Sequence, residues 1–187
     1  PIEEVERQYG ITGAVKLASN ENPLGPSPKG VAAALAASAG VNLYPDGSAT
    51  FLRRALSARH GIPFEQVVIG SGSSELIDIC MRTFVDPGDE VVVPQGIFRM
   101  FQVAVGRAGG TLVEVPTKPG HVPDVDALKR RIGPATKVVA IANPNNPTGA
   151  YVPKAELDRF FQGLPEHVVA VVDEAYFEFA RETADYP

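Results

Sequence analysis

The chain has 187 residues, of which 44% are hydrophobic and 21% charged, and its formal net charge at pH 7 is -5. This composition predicts one globular domain, or one and a half, whose core needs no disulfide or metal to fold. A single cysteine, Cys80, excludes an internal disulfide, and the acidic balance argues against a nucleic-acid partner. The sequence shows no apolar run of the ~20 residues that a membrane span needs and no signal-peptide pattern, so we expect a soluble, cytoplasmic α/β protein.

The first forty residues predict an N-terminal arm followed by one helix. Residues 1–27 are rich in loop formers, and the prolines within 20–28 restrict the backbone there. Ser27 followed by Pro28 is typical of an N-cap and first helical position, and Gly40 is expected to end this Ala-rich helix.

A second helix follows a turn-rich loop. Residues 42–48 contain Asn, Pro, Asp, Gly and Ser, which favour turns. Ser48 is predicted to cap a helix that runs to about His60, with apolar residues on one face.

From residue 67 the sequence alternates short apolar strands with helices. The predicted strands are residues 67–69, 90–93, 111–115, 137–142 and 168–172. The predicted helices are residues 75–84, 98–108, 124–132 and 154–163. The strands are rich in Val and Ile and almost continuously apolar, which is typical of parallel strands buried on both faces. We therefore predict a layered α/β fold.

Ligands bind at the carboxyl ends of the strands in such a sheet. Three polar clusters follow predicted strands, at residues 70–74, 143–149 and 173–176. If their strands are neighbours, the three clusters converge on one site. The three histidines are too far apart in sequence to suggest a metal site.

Residues 70–74, Gly-Ser-Gly-Ser-Ser, join a strand to a helix. Backbone N–H groups at a helix N-terminus together with hydroxyls favour a phosphate site. An ordinary Gly/Ser turn with a serine N-cap explains the same residues equally well. The run matches neither the P-loop nor the dinucleotide fingerprint.

The other two clusters pair stiff loops with polar groups. Two prolines fix the backbone of residues 143–149, so the amides of Asn145 and Asn146 suit a ligand hydroxyl or ring oxygen, although a plain turn is the alternative. Asp173 follows five residues without a polar side chain. A carboxylate there needs a cation, such as a protonated heterocyclic nitrogen, or a hydrogen-bond donor. The alternative is that Asp173 caps a helix. Tyr176 could reach the same ligand. The loop at 44–47 carries an exposed Tyr44, and composition alone does not distinguish it from an ordinary surface turn.

Taken together, these motifs resemble the fold-type I, pyridoxal 5'-phosphate-dependent aminotransferases of class I/II, and within them the histidinol-phosphate aminotransferases. The motifs that carry this resemblance are residues 17–26, 44–47, 70–75, 143–149 and 173–176. The resemblance implies a three-layer α/β/α fold with a mostly parallel sheet. Residues 1–40 would be the N-terminal arm and first helix, and 41–187 part of the cofactor-binding large domain. Because the chain starts at Pro1 rather than Met, we expect a piece of a longer protein.

The resemblance also implies site roles around the cofactor. Gly72, Ser73 and Ser74 would hold the phosphate of pyridoxal 5'-phosphate. Asn146 and Tyr176 would donate to its ring oxygen.

Three further residues complete this set. Asp173 would pair with the protonated pyridine nitrogen. Tyr44 would serve the site of the neighbouring subunit, which implies a homodimer, and Asn22 would lie on the substrate side.

Two departures from the family pattern bear on catalysis. Gly96 stands where the family has an aromatic residue that stacks on the ring, so Phe98 is the candidate for that position. The family's Schiff-base lysine lies downstream of the Asp-x-x-Tyr signature, and none of the six lysines stands in that context. We therefore predict that this chain alone is inactive, with no catalytic residue of its own.

The function implied by the resemblance is amino transfer between histidinol phosphate and 2-oxoglutarate in histidine biosynthesis. Imidazole acetol phosphate and glutamate are the partners in the reverse direction. The alternatives are an aromatic-amino-acid aminotransferase of the same fold, a more distant threonine-phosphate decarboxylase, a non-catalytic module that binds a phosphate ligand, and an excised folding unit without a function.

Overall fold

The computed structural model describes residues 1–187, which divide into two units, Pro1–Leu52 and Arg53–Pro187. The helices of the chain are α1 (Ile2–Tyr9), α2 (Pro28–Ala37), α3 (Thr50–His60), α4 (Gly72–Phe84), α5 (Met100–Ala108), α6 (Val125–Arg131), α7 (Lys154–Phe161) and α8 (Phe177–Ala180). The strands are β1 (Glu90–Pro94), β2 (Thr111–Val115), β3 (Thr136–Ala142) and β4 (Val169–Asp173). None of the helices combines the length and apolar character that crossing a membrane requires.

The first unit confirms one predicted helix start and corrects the expectation of loop structure for residues 1–27. The Ser27 hydroxyl accepts the N–H of Gly30, with Pro28 at the first helical position, as predicted for α2. Helix α1 forms within the segment expected to be loop, where Glu4 and Arg7 pair one turn apart and Gly10 ends the helix at φ 62°.

The prediction that Ser48 caps the next helix is wrong. Helix α3 begins at Thr50, and the carboxylate of Asp46 accepts the N–H groups of Ser48 at 2.9 Å and Thr50 at 2.8 Å. An aspartate accepts such bonds as well as a serine does, so the loop composition alone did not decide between them.

The second unit contains a four-stranded parallel sheet in the order β2-β1-β3-β4. Successive side chains of a strand point to opposite faces, and each face carries its own helices. On one face, α4 and α5 pack on the sheet through buried residues that include Ile77, Met81, Phe101, Val91 and Val138. On the other face, α6 and α7 pack through buried residues that include Leu128, Leu157, Phe160, Val92 and Val139. This arrangement confirms the three-layer α/β/α fold.

The predicted strand at residues 67–69 is wrong. The segment is extended at Val67, but it pairs with none of the four strands, and the Val68 side chain is 62% exposed. Arg53 binds the segment instead, donating to the carbonyl of Val67 at 2.8 Å and to that of Phe64 at 3.0 Å. The Val/Ile run is strand-like, but a strand also needs a partner, which composition does not reveal.

Helix boundaries shift by a few residues elsewhere. Helix α4 begins at Gly72 rather than 75, α5 begins at Met100 rather than 98, and α7 ends at Phe161 rather than 163. The predicted N-cap Asp124 is confirmed, because its carboxylate accepts the N–H of Ala127 at 3.0 Å.

Candidate active site

The ends of β3 and β4 lie side by side. Ala142 pairs with Asp173 in the parallel register, and the N–H of Asn143 donates to the carbonyl of Asp173 at 2.8 Å. The polar segments that follow the two strands therefore start from adjacent points of one sheet edge. This confirms that the clusters at 143–149 and 173–176 converge.

A cavity of about 40 Å³ lies at this edge. Its lining consists of Ser73, Phe98, Ala142, Pro144, Asn146, Asp173, Ala175 and Tyr176. An adjoining cleft of about 570 Å³ shares Ser73, Asp173 and Ala175 with the cavity and also includes Gly72. The structure thus brings together predicted residues from all three polar clusters.

The first cluster forms the start of α4. Gly72 adopts φ 77°, a left-handed conformation that favours glycine, and Ser73 and Ser74 follow in the first turn, both half-buried. The carboxylate of Glu75 accepts the N–H of Ser71 within the same turn. The N-terminus of a helix presents backbone donors and a positive dipole end to an anion. Ser74 does not line the cavity or the cleft.

The carboxyl group of Asp173 is half-buried at the end of β4 and forms no ion pair. Burial raises its pKa above the ordinary value of an aspartate, and a hydrogen bond from the N–H of Ala175 at 3.1 Å opposes this only in part. The site therefore holds an anionic group whose charge is incompletely compensated by the protein. A cation bound in the cavity would supply the missing compensation.

Two hydrogen-bonding side chains lie beside this carboxylate. The amide Nδ2 of Asn146 donates to the hydroxyl of Tyr176 at 3.3 Å, and both residues line the cavity. An asparagine amide and a tyrosine hydroxyl can each donate and accept hydrogen bonds. The pair therefore places two hydrogen-bonding side chains at one side of the cavity.

Asn143 has a structural role at the same edge. Its side chain accepts the N–H of Val152 at 2.7 Å and donates to the carbonyl of Val152 at 3.3 Å, while its own carbonyl accepts the Tyr186 hydroxyl at 2.6 Å. The peptide bonds Asn143–Pro144 and Asn146–Pro147 are both cis. The sequence did not predict these hydrogen bonds of Asn143. The loop contains three asparagines, and the sequence alone does not show which of them faces the protein interior.

The expectation that the Asn145 amide faces a ligand is wrong. Asn145 is buried and does not line the cavity, and its Nδ2 donates to the carbonyl of Gly96 and to the hydroxyl of Thr148. Asn145 and Asn146 lie in the turn after β3, where Asn145 faces the buried side and Asn146 faces the cavity.

Phe98 is an aromatic residue that lines the cavity together with Tyr176. It follows β1, which lies next to β3 in the sheet, and its ring is half-buried. Gly96, where the resemblance placed an aromatic residue, occupies the preceding turn at φ 74° and is absent from the lining. Phe98, and not Gly96, thus faces the cavity.

A family comparison agrees with this geometry. Residues 12–187 match the family described as aminotransferase class I and II. The chain belongs to that family.

Similar proteins carry a narrower description. The chain is 50% identical to the histidinol-phosphate aminotransferase of Anaeromyxobacter sp. (strain Fw109-5) over 179 residues, which are 96% of this chain and 49% of that protein. It is 45% identical to histidinol-phosphate aminotransferase 1 of Nitrosococcus oceani over 187 residues, or 100% of this chain and 50% of that protein. The chain thus spans about half the length of the curated relatives it matches.

A solved structure of the same family has the same fold. The histidinol-phosphate aminotransferase of Sinorhizobium meliloti, solved in complex with pyridoxal-5'-phosphate, superposes with a TM-score of 0.89 at 33% identity. The match covers 98% of this chain and 50% of that one. The chain therefore has the fold of the Sinorhizobium protein over the shared half.

The two remaining predicted residues lie in the first unit of the chain. The side-chain Oδ1 of Asn22 accepts the N–H of Leu24 at 2.9 Å, which is an Asx turn, and the Tyr44 side chain is fully exposed in its loop. Their roles on the substrate side and in a neighbouring subunit stay predictions.

Proposed function

We propose that this chain is the cofactor-binding part of a histidinol-phosphate aminotransferase that uses pyridoxal 5'-phosphate. The whole enzyme would transfer an amino group between histidinol phosphate and 2-oxoglutarate in histidine biosynthesis, with imidazole acetol phosphate and glutamate as the other pair of reactants. The observation that carries the proposal is the meeting of Asp173, Asn146, Tyr176 and Ser73 around one cavity. The names of the similar proteins support the choice of substrate.

The side chains of the cavity fit the chemistry of pyridoxal phosphate. Asp173 is a half-buried acid without a cation, which suits a protonated pyridine nitrogen. Asn146 and Tyr176 supply donors for the ring oxygen, and Ser73 lies in the first helical turn, where a phosphate binds favourably. Phe98 offers an aromatic face for the ring. Gly72 and Ser74 would hold the cofactor phosphate together with Ser73.

The bound cofactor supplies an electron sink for cleavage of a bond at the substrate's α-carbon. Asp173 would hold a proton on the ring nitrogen, because the burial that disfavours its charge makes a nearby cation more favourable. Asn146 and Tyr176 would orient the ring through its oxygen. Phe98 would shield the ring from water.

The surroundings of the site are also part of the proposal. Tyr44 would reach the cofactor phosphate of a second subunit in a homodimer, and Asn22 would lie near the substrate. The histidine-pathway role is consistent with a cytoplasmic protein. Sedimentation of the natural gene product tests the dimer, and a monomer at all concentrations would contradict the role of Tyr44.

Borohydride trapping tests whether the site holds pyridoxal phosphate. The natural gene product that contains these residues is incubated with the cofactor, reduced with borohydride and analysed by intact and peptide mass spectrometry. We expect one adduct on one lysine, and that lysine should lie outside the six of this chain. A product without any adduct would contradict the enzyme and favour a non-catalytic phosphate-binding module.

A competition assay tests the substrate. Histidinol phosphate and phenylalanine are offered together with 2-oxoglutarate, and both oxo products are quantified. We expect preferential consumption of histidinol phosphate. A strong preference for phenylalanine would identify an aromatic-amino-acid aminotransferase instead.

A further inference from the structure

Asn145 connects two segments that border the cavity. Its Nδ2 lies 3.1 Å from the carbonyl oxygen of Gly96, which follows β1, and 3.0 Å from the Thr148 hydroxyl in its own loop. The residue is only 6% exposed, and its Oδ1 is buried without a hydrogen-bond partner. One half of the amide is thus fully used while the other half is left unsatisfied.

The orientation of this amide is set by Gly96. A backbone carbonyl only accepts hydrogen bonds, so the NH2 group of Asn145 must face it and the amide oxygen must face away. Leaving a buried acceptor without a partner is unfavourable, and proteins rarely keep such a group where an apolar residue would serve. The two bonds of the Nδ2 group, to Gly96 and to Thr148, therefore fix the orientation of this amide.

The bond joins the positions of two cavity residues. Gly96 precedes Phe98 by two residues in the loop after β1, and Asn145 immediately precedes Asn146 in the loop after β3. The residue before Gly96 bonds to a different strand, since the N–H of Gln95 donates to the carbonyl of Val115 on β2. The contact of Asn145 with Gly96 is therefore a direct link from the loop that carries Phe98 to the loop that carries Asn146.

We propose that Asn145 is a positioning residue, which, through the carbonyl of Gly96, sets the placement of Phe98 relative to Asn146 at the cofactor ring. This inference rests on the proposed function of the cavity. Asn145 itself touches neither cofactor nor substrate. Its effect reaches the ring through Phe98, and this distinguishes it from a residue that only stabilises the turn.

A double-mutant cycle tests this coupling. The natural gene product is prepared unchanged, with Asn145→Ala, with Phe98→Leu and with both substitutions. The dissociation constant of pyridoxamine 5'-phosphate, which binds without a covalent bond, is measured by calorimetry. Thr148→Val is the matched control, because it removes the second acceptor of Asn145 and leaves the bond to Gly96 in place.

We expect Asn145→Ala to raise the dissociation constant about tenfold when Phe98 is present and less than about twofold in the Phe98→Leu background. Thr148→Val should change it less than about twofold. If Asn145→Ala does not fold, Asn145→Ser, whose side chain is too short to reach Gly96, is used in the same cycle.

Three outcomes would overturn the inference. Equal losses in both backgrounds would mean that Asn145 acts independently of Phe98, and no loss in either would mean that the bond to Gly96 does not affect the ring. If the unchanged protein does not bind pyridoxamine phosphate, the proposed function fails and the inference fails with it. The first two results leave the proposed function standing.

Discussion

The amide of Asn146 lies 3.3 Å from the hydroxyl of Tyr176, although the two residues are 30 positions apart in the chain. The parallel pairing of Ala142 with Asp173 brings the two segments together, because it places the ends of β3 and β4 at the same level of the sheet. Two loops thereby bring hydrogen-bonding side chains to one cavity. The two turns after β3 and β4 form one site because these strands are neighbours in the sheet.

Substitution of this pair should weaken cofactor binding unequally. Asn146→Ala removes a donor to an anionic ring oxygen, and we expect about a 10- to 100-fold higher dissociation constant for pyridoxamine phosphate. Tyr176→Phe removes one hydroxyl and leaves the Asn146 amide in place, so we expect the dissociation constant to rise only about 2- to 10-fold. Tyr151→Phe is the control, since that hydroxyl binds the exposed Asp185 at 2.6 Å. An equal effect of the Tyr151 and Tyr176 variants would contradict the assignment.

Asp173→Asn should stabilise the cofactor-free protein while weakening the cofactor complex. Burial places the pKa of Asp173 in the folded state above its unfolded value. The folded state therefore favours the protonated acid, and the contribution of Asp173 to stability is lost as the pH rises through the folded pKa. At pH 7 the neutral asparagine avoids this loss and keeps the acceptor for the N–H of Ala175.

Thermal unfolding without cofactor measures the effect of Asp173→Asn. We expect a higher Tm for the variant at pH 7 and a difference that shrinks as the pH falls towards about 3.9, the ordinary aspartate value. Asp126→Asn, at an exposed position of α6, is the control and should show no such pattern. A lower Tm of the Asp173 variant at pH 7 would mean that the carboxylate already has a stabilising partner in the protein.

Tyr186→Phe should destabilise the second unit. The Tyr186 hydroxyl donates at 2.6 Å to the buried carbonyl of Asn143, so its removal should cost about 1–3 kcal/mol at pH 7. Burial, with smaller contributions from Glu174 and Glu178, raises the pKa of Tyr186 to about 12.

The pH dependence of the Tyr186 variant provides a second measurement. Because the folded pKa is raised, the protonated hydroxyl contributes its stability below the unfolded pKa of about 10, and this is lost as the pH rises through about 12. Chemical unfolding should therefore show a smaller loss of stability over this range for Tyr186→Phe than for the parent. Tyr9→Phe, at an exposed position of α1, should follow the parent curve.

Helix α6 offers a test of capping. Asp124→Ala removes the acceptor for the N–H of Ala127, and we expect the free energy of unfolding to fall by about 1 kcal/mol. Asp126→Ala removes an exposed acid from the same first turn and should cost less than about 0.5 kcal/mol. Urea unfolding of both variants decides the question, and equal losses would show that the effect is the helix dipole rather than the cap.

The sequence patterns predicted the layered part of the fold because each element there carries its own signal. Strands β1 to β4 are short Val/Ile runs, and their helices begin or end at Gly, Asp or Pro. The same logic failed at residues 67–69, where the composition is strand-like but the carbonyl of Val67 is bound by Arg53. It also missed the four-residue helix α8, which is too short to show a period.

The sequence predicted individual residues of the candidate site but not the hydrogen bonds that join its distant segments. Asp173 was recognisable as an acid after an apolar run. Its convergence with Asn146 was predicted only on the condition that their two strands are neighbours, and the sheet order shows that β3 lies next to β4. The inward turn of Asn145 was not predictable, because it depends on where the carbonyl of Gly96 lies, 49 residues away. Long-range backbone positions of this kind have no local sequence signal.

The most direct test of the central claim is the protonation state of the bound cofactor's ring nitrogen. Pyridoxal phosphate labelled with ¹⁵N at the ring is bound to the natural gene product and to its Asp173→Asn variant, and the nitrogen resonance is recorded by NMR at neutral pH. We expect a protonated nitrogen in the unchanged protein and an unprotonated one in the variant. An identical resonance in both proteins would contradict the assignment of Asp173 and, with it, the proposed cofactor site.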